Sequence, residues 1–474
     1  MPLSNGLSRL MIRQIVKNRV SFALSAIAAF ALAYILRINL AIPVLLFSLF
    51  FYFKYRVGLL KGYKLLHLVF LFVVVFVLSF VIIRNGWQFF YLPYSLAPLL
   101  TVLLFGNLEI SLLLTVTTAL CVASITGNNL YLGLMFITSG IISSMLVYGA
   151  RTRMSVIRVG LIVGISQAVI LFFINRFWMG VPAIYLMFVL NGIVTSIVVL
   201  GILPLFEYLF GTVTNISLLE LADFHHPLLQ QMVLEAPGTY HHSLIVGNLS
   251  EAACNSVAAN ALLARIGAYY HDIGKLQKPD YFSENQGINE SRHASLSPTM
   301  SKMVIMNHVK DGIELARKYR LNPKIIEFVQ QHHGTSLVYY FYRRALENLE
   351  EDQEVLEEGF RYPGPRPKSK ETAIVLLADS VEAATRSLKE PTPKRIEELV
   401  RKIINNKFID KQLDECDLTL NDLDKIAAVF IHILSGIYHS RITYPEENKD
   451  SENNGKKSSK EGPRQPEADT KDDS

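Results

Sequence analysis

The chain has 474 residues, and its charged residues are divided unevenly between two parts. Residues 1–210 contain 14 lysines and arginines but only two of the 41 acidic residues, and long apolar runs separate the basic clusters. Such a composition is typical of a polytopic membrane domain and excludes an ordinary globular core for this half. The net charge of +5 is therefore no nucleic-acid-binding signature, since its excess lies in the membrane half.

The apolar runs predict about eight membrane-spanning helices in residues 1–210. Most of the runs are long enough to cross a bilayer, the second is short, and the last is long enough to project beyond it. In chain order they cover residues 20–36, 40–53, 65–83, 89–105, 110–126, 130–150, 159–174 and 181–210.

Basic residues predict the orientation of these helices. Clusters lie at residues 9–19, 54–64 and 151–158, whereas the opposite loops carry only isolated arginines. All three clusters fall on one side if the number of spans is even and both termini are cytoplasmic. The first apolar run is too long for a cleavable signal peptide and has no small-residue cleavage site.

The remaining part, residues 211–444, is predicted to be an all-helical cytoplasmic domain. Its apolar residues recur at the helical period, and Ser297 and Asn322, each followed by proline, predict helix starts. Gly334 predicts a helix end. Residues 445–474 have almost no apolar content and are predicted to be a disordered tail. The three cysteines form no CxxC pair and imply no disulfide framework.

Histidine and aspartate recur across the predicted helices of this domain. Taken singly, each would ordinarily be a surface or a hydrogen-bonded core residue. Six histidines and two aspartates on five helices within about 140 residues make that interpretation a poor one. Imidazole nitrogens with carboxylate oxygens suit Zn, Fe or Mn, and a carboxylate can bridge two such ions. The residues are His241, His242, His271, Asp272, His308, His332, His333 and Asp379.

Five stretches around these residues carry a resemblance to a known family. "HDIGK" with its flanking histidines and aspartate resembles the HD-domain metal-dependent phosphohydrolases. The whole set is similar to the cytoplasmic domain of the seven-transmembrane-receptor HD family, whose members are bacterial membrane-bound cyclic-di-AMP phosphodiesterases. The stretches, in chain order, are "LEAPGTYHHSLIVGNLSEAA", "HDIGKLQKPDYFSENQ", "LSPTMSKMVIMNHVKDGIELA", "QQHHGTSLVYYFY" and "FRYPGPRPKSKETAIVLLADSVEAATRSL".

The resemblance implies two divalent transition-metal ions, Mn or Fe, and assigns their ligands. Asp272 would bridge the two ions, and His241 is outside the set. The ligands of the first ion would be His242, His271, Asp272 and Asp379. Those of the second would be Asp272, His308, His332 and His333.

Three further residues are expected to take part in catalysis or substrate binding. Lys275 lies one turn after His271 if the helix continues, and it would contact the phosphate; the alternative is a solvated lysine at the helix end. Arg292 and Tyr339 are expected to contact substrate, although packing explains Tyr339 at least as well. His293 is not assigned to a metal ion.

The expected function is hydrolysis of cyclic-di-AMP to linear pApA by a multi-pass protein of the bacterial cell membrane, with membrane lipid and no nucleic-acid polymer as partner. The oligomeric state, including a homodimer, is left open. Hydrolysis of cyclic-di-GMP or (p)ppGpp is an alternative, although the GYP extension of cyclic-di-GMP enzymes is missing. A non-catalytic nucleotide receptor is a third, which the complete ligand set opposes. The chain departs from the family at residues 37–40, where a large extracellular domain would be expected.

Overall fold

The computed structural model describes residues 65–174, 181–286, 292–348 and 355–438. Within these ranges the chain forms helices and no β-strand, and Leu337 and Arg361 make a single antiparallel bridge. The all-α prediction is confirmed. The helices are α1 Leu65–Arg84, α2 Leu96–Phe105, α3 Leu108–Ile125, α4 Leu130–Val147, α5 Arg153–Ile174, α6 Pro182–Phe210, α7 Asn215–Leu221, α8 Pro227–Glu235, α9 Pro237–Ser256, α10 Ala261–Tyr270, α11 Pro298–Lys318, α12 Pro323–Gln331, α13 Tyr339–Glu347, α14 Lys370–Arg386, α15 Pro393–Ile409 and α16 Leu420–Ile437.

Five of the described helices, α1, α3, α4, α5 and α6, are long and apolar enough to cross a membrane. They have 18 to 29 residues. At ~1.5 Å per residue, they cover about 27 to 44 Å, which is close to or above the hydrocarbon core of about 30 Å. The predicted spans at 20–36 and 40–53 lie outside the described residues, so the total of about eight stays a prediction.

The predicted span at 89–105 is not one continuous helix. A short 3-10 turn, Phe89–Tyr91, is followed by irregular chain and then by α2, which has 10 residues. At that length α2 covers only about 15 Å. The Leu92 carbonyl, in the irregular part, accepts a hydrogen bond of 3.0 Å from Asn191 Nδ2 on α6. Hydropathy depends on side chains only. It therefore did not predict a break in the helix where a free backbone carbonyl is hydrogen-bonded by a neighbouring helix.

Helices α5 and α6 approach each other closely through glycine. A Cβ atom on Gly192 would lie 2.1 Å from the Gly160 carbonyl oxygen, and one on Gly160 would lie 2.4 Å from the Gly192 carbonyl oxygen. Any larger residue at either position would therefore force the helices apart. Close contact through small residues is how helices commonly associate in membranes, where no hydrophobic effect drives them together.

The end of α6 is connected to α7 by a buried carboxylate. The Glu207 side chain accepts hydrogen bonds of 2.8 Å from the Thr214 amide and of 2.8 Å from the Ser217 hydroxyl. Glu207 is 5% exposed, so the loss of these bonds would leave a buried charge without donors. The turn between α6 and α7 is thus held in one geometry.

Helix α7 connects the membrane helices to the C-terminal domain. At one side Glu220 pairs with Arg153 of α5, with 2.6 Å between Nε and Oε1. At the other, the Leu221 carbonyl accepts a 2.7 Å hydrogen bond from the Tyr270 hydroxyl at the end of α10. The membrane face that carries Arg153 is therefore the face on which the C-terminal domain lies.

Side-chain caps define the starts of the helices in the C-terminal domain. The Ser297 hydroxyl accepts from the Met300 amide at 3.3 Å, and Asn322 Oδ1 accepts from the Lys324 amide at 2.9 Å. Gly334 has a φ of +55°, in the left-handed region, and ends the turn that follows α12. Both predicted helix starts are confirmed, whereas α12 ends at Gln331 with His332 as its C-cap, before the predicted stop at Gly334.

Helix α10 is packed between two apolar cores. One core joins it to α9, α14, α15 and α16, and the other joins it to α7, α8, α11 and α12. Burial on both sides fixes the position of its last residue, Tyr270, which is fully buried. The residues that follow, His271 and Asp272, are held by packing on both sides rather than by helix propensity.

Candidate metal centre

The turn after α10 is pressed against α11. Its 3-10 segment, Ile273–Gln277, contains Gly274, where a Cβ atom would lie 1.8 Å from the His308 carbonyl oxygen. Because that contact is backbone against backbone, no side chain could rotate to relieve it. Glycine at this position therefore allows Asp272 to lie beside His308.

Seven side chains from five elements converge at this turn. They form two groups of four, within each of which the candidate ligand atoms lie within 4.8 Å of one another. Asp272 belongs to both groups, and all seven residues are buried except His333, which is partly exposed. The first group is His242, His271, Asp272 and Asp379, and the second is Asp272, His308, His332 and His333. These are the two sets that the resemblance implied.

The two carboxylate oxygens of Asp272 face different histidines. Oδ2 lies 3.1 Å from His271 Nε2 and 3.6 Å from His242 Nε2. Oδ1 lies 3.3 Å from His308 Nε2 and 3.4 Å from His332 Nε2. One carboxylate thus presents one oxygen to each group, which is the arrangement that a bridging ligand requires.

Hydrogen bonds at Nδ1 determine which ring nitrogen of each histidine faces the centre. Nδ1 of His271 donates to the Ala268 carbonyl at 2.6 Å, and Nδ1 of His308 donates to the Ile305 carbonyl at 2.5 Å. His332 Nδ1 likewise lies 3.0 Å from a backbone carbonyl. A carbonyl can only accept, so each Nδ1 carries the proton and each Nε2 of the neutral ring presents a lone pair.

These lone pairs face one another and the Asp272 carboxylate, and no donor within the described residues reaches Asp272 Oδ1. His308 Nε2 and His332 Nε2 are 3.1 Å apart, and His271 Nε2 and Asp272 Oδ1 have no hydrogen-bond partner in the described structure. Burial lowers the pKa of His308 to about 4, so this ring is neutral at neutral pH. Converging unprotonated acceptors repel one another unless a cation lies among them. The residues therefore fit divalent metal ions with nitrogen and oxygen ligands.

His242 favours a positive charge at the same place. Burial lowers its pKa, but its hydrogen bonds with Asp379 and Glu382 outweigh burial and raise the pKa to about 9. His242 Nε2 lies 3.1 Å from Asp379 Oδ1. A proton or a metal ion between these two atoms would satisfy the same carboxylate. A histidine that becomes a metal ligand loses this proton and binds the metal ion in its place.

Two family descriptions match the chain in order. "7TM receptor with intracellular HD hydrolase" matches residues 34–214, and "HD domain" matches residues 239–384, which include all seven converging side chains. The Cyclic-di-AMP phosphodiesterase PgpH of Bacillus subtilis (strain 168) is 43% identical over 371 residues, which are 76% of this chain and 52% of that one. The chain is thus similar to a 7TM receptor with an intracellular HD hydrolase over its first part, and this part is followed by a match to the HD domain.

One further curated relative and one crystal structure are similar to shorter parts of the chain. The Cyclic-di-AMP phosphodiesterase PgpH of Listeria monocytogenes serotype 1/2a (strain 10403S) is 46% identical over 260 residues, 54% of this chain and 36% of that one. A crystal structure of the L. monocytogenes PgpH HD domain in complex with cyclic-di-AMP has 45% identity and a TM-score of 0.44, covering 46% of this chain and 100% of that one. The chain thus spans about half or less of the length of the curated relatives it matches.

Lys275 of the HD domain does not lie on a continued helix. Because α10 ends at Tyr270 and the next turn is a 3-10 turn, the side chain folds back to the centre. Its Nζ lies 2.8 Å from Asp272 Oδ2 and 2.6 Å from Glu284 Oε1. Burial opposes the ammonium charge, but the two carboxylates outweigh burial and raise the pKa of Lys275. The alternative of a solvated lysine is wrong, and contact with phosphate stays a prediction.

Arg292 and Tyr339 lie on the surface of the HD domain. The Arg292 side chain is 62% exposed and pairs with Asp280 at 3.3 Å, and Tyr339 is 61% exposed at the start of α13. Their expected contact with substrate stays a prediction. His293 is outside both metal groups, and its Nε2 lies 2.8 Å from the Tyr281 carbonyl oxygen.

Sequence reasoning missed Glu382, which supports the centre from behind. Glu382 is 1% exposed, and its Oε2 accepts a short hydrogen bond from His242 Nδ1. It lies one helical turn after Asp379 on α14, so the i, i+3 spacing was a signal in the sequence. A carboxylate on the far nitrogen of a ligand histidine fixes the ring's tautomer and orientation.

Proposed function

We propose that this protein is a membrane-anchored, two-metal phosphodiesterase that hydrolyses cyclic-di-AMP to linear pApA. The observation that carries the proposal is the division of the Asp272 oxygens between two histidine groups, since two-metal sites serve phosphoryl chemistry. Two relatives, 43% and 46% identical, carry the name cyclic-di-AMP phosphodiesterase. Such activity would lower the level of a second messenger.

In this proposal Mn or Fe ions occupy the two groups, because imidazole with carboxylate suits both metals. Asp272 would be a ligand of both ions and would in that sense be catalytic. His242, His271, Asp272 and Asp379 would hold the first ion, and Asp272, His308, His332 and His333 would hold the second.

When bound, the ions would activate water and neutralise charge on the phosphoryl oxygens. Water adds to phosphorus, the bond to the 3′ oxygen breaks, and that oxygen takes up a proton, which leaves pApA. Asp272 keeps the two histidine groups in register for this step. Lys275 would stabilise the developing negative charge at the edge of the centre, because its ammonium group already faces Asp272 Oδ2. Glu382 holds the His242 ring in place.

The substrate is tested with the purified full-length protein in detergent and Mn²⁺. We expect conversion of cyclic-di-AMP to pApA, and much slower conversion of cyclic-di-GMP, as resolved by chromatography of the products. An EDTA-treated sample is the control for metal dependence. Faster turnover of (p)ppGpp or of a mononucleotide would leave the metal site standing and refute the substrate. Binding of cyclic-di-AMP without any product would favour a non-catalytic receptor.

We also propose that the HD domain, residues 211–444, is cytoplasmic in a multi-pass protein of the bacterial cell membrane. Its support is the Arg153–Glu220 pair, since this pair puts the basic cluster at 151–158 on the same membrane face as the HD domain. Basic clusters flank membrane helices on the cytoplasmic side. The tail 445–474 lies outside the described residues, and its predicted disorder stays a prediction. Membrane lipid is the expected partner, and a homodimer stays open.

The orientation is tested with two reporters fused in turn after Ser474. Green fluorescent protein does not fluoresce after export in an unfolded state, so the fusion should be bright if the C-terminus is cytoplasmic. Alkaline phosphatase needs the oxidising exterior to become active, so its fusion should be inactive. The opposite pair of results would place the HD domain outside and overturn the orientation.

A further inference from the structure

Lys407 is a half-buried cation beside the centre that neither the metal groups nor the mechanism uses. It lies near the end of α15, beyond residues 239–384 that match the HD domain. Its Nζ donates a 2.7 Å hydrogen bond to the Ser336 hydroxyl. The Ser336 amide in turn donates to the His333 carbonyl at 3.1 Å. Lys407 is therefore two hydrogen bonds away from a candidate metal ligand.

The charge of Lys407 has no carboxylate partner within the described residues. Other cations nearby are neutralised: Lys275 pairs with Asp272 and Glu284, and Arg361 pairs with Asp410 at 2.9 Å. Burial lowers the pKa of Lys407, and the more distant Asp379 and Asp410 carboxylates, which raise it, do not outweigh burial. An ammonium group that is partly withdrawn from water without an anion beside it is costly, so this position is suited to an anion that comes from outside the chain.

The centre is partly exposed to solvent at His333, whose carbonyl is linked through Ser336 to Lys407. The His333 side chain is 21% exposed, whereas those of His271 and His332 are fully buried. The Tyr362 ring stacks on His333 with 4.3 Å between the centroids, and the Tyr362 amide donates to the Ser336 carbonyl at 3.0 Å. His333, Tyr362 and Ser336 thus form one connected group at the exposed side of the centre, and the Lys407 ammonium is hydrogen-bonded to it.

We propose that Lys407 binds the phosphate of the substrate that is not at the metal ions. The inference rests on the proposed function, because a cyclic dinucleotide carries two phosphates and only one of them is cleaved at a time. The second phosphate would lie at the exposed His333 side of the centre and make an ion pair with the Lys407 ammonium. Ser336 positions the lysine head for this contact. A substrate with a single phosphate gains nothing from Lys407.

The test compares full-length Lys407→Gln with Lys402→Gln, which removes an exposed lysine from the same helix. Glutamine keeps a hydrogen bond to Ser336 and removes the charge. With saturating Mn²⁺, we expect the KM for cyclic-di-AMP to rise about 10- to 100-fold in Lys407→Gln only, since hydrogen bonds to charged groups are the strong ones. The kcat should change less, and hydrolysis of bis(p-nitrophenyl) phosphate, a diester with one phosphate, should be unchanged.

A structural role for Lys407 would give different results. If the lysine stabilises the fold, Lys407→Gln lowers the melting temperature and slows both substrates alike, which overturns the inference. We expect a melting temperature at or above that of the wild type, because a half-buried charge without a carboxylate partner is removed. Lys407→Met, which keeps the apolar stem, serves if the glutamine variant does not fold. An unchanged KM also overturns the role of Lys407, whereas a wild-type protein inactive on cyclic-di-AMP refutes the proposed function and this inference with it.

Discussion

Asp272→Ala is expected to lose phosphodiesterase activity and most bound metal together. The reason is that each Asp272 oxygen serves one histidine group, so its removal weakens both sites at once. Metal ions stabilise a phosphoryl transition state by several kcal/mol, which corresponds to a loss of about 1,000-fold or more in kcat. Activity on cyclic-di-AMP and metal per chain, by elemental analysis after desalting, are measured on the same preparation.

Asp424→Ala is the matched control, because Asp424 is an exposed aspartate on α16 of the same domain. It should keep wild-type metal content and activity. If Asp272→Ala retained about two ions per chain, the carboxylate would not be a bridge, whatever its activity. Circular dichroism of both variants shows whether the helices persist when the charge at the centre is lost.

Glu382→Gln is expected to weaken metal binding by about 10- to 100-fold without removing a ligand. Glutamine fills the same space, but its amide accepts a weaker hydrogen bond from His242 Nδ1 than a carboxylate does. The His242 ring then loses basicity and its fixed orientation. Metal occupancy is measured by dialysis against graded free Mn²⁺, together with activity at each concentration.

The exposed Glu398 on α15 provides the control variant Glu398→Gln, which should bind Mn²⁺ as the wild type does. Excess Mn²⁺ should restore much of the activity of Glu382→Gln, since its ligands are intact. Wild-type occupancy at limiting Mn²⁺ would refute a positioning role for Glu382. Activity that stays low at full occupancy would instead give Glu382 a role beyond metal binding.

Side-chain pattern alone was enough to predict the fold class and the starts of individual helices. Ser297 and Asn322 cap helices because a side-chain oxygen reaches an amide two or three residues on, and such contacts are local. The ends of the helices were only partly predicted by this pattern. Sequence left open whether α10 continues past His271; the turn there depends on Gly274 meeting the backbone of α11, which is remote in sequence.

Membrane segments show the limit of hydropathy. Apolar runs predicted α1 and α3 to α6, because burial in lipid requires long uninterrupted apolar segments. The run at 89–105 met the same criterion but is broken between Tyr91 and Leu96. Its free carbonyl is satisfied by Asn191 of α6, about a hundred residues further on. Only the packed helices decide whether such a break can be tolerated.

The sequence by itself determined which residues could serve as metal ligands, since imidazole and carboxylate chemistry belongs to the residue type. The tertiary structure decided how they meet: which Asp272 oxygen faces which histidine, and which ring nitrogens are left as acceptors. It alone placed Glu382 behind His242 and Lys407 beside the turn after His333. Ligand chemistry is a property of single side chains, whereas these contacts join helices far apart in the chain and are selected by the packing of their shared cores.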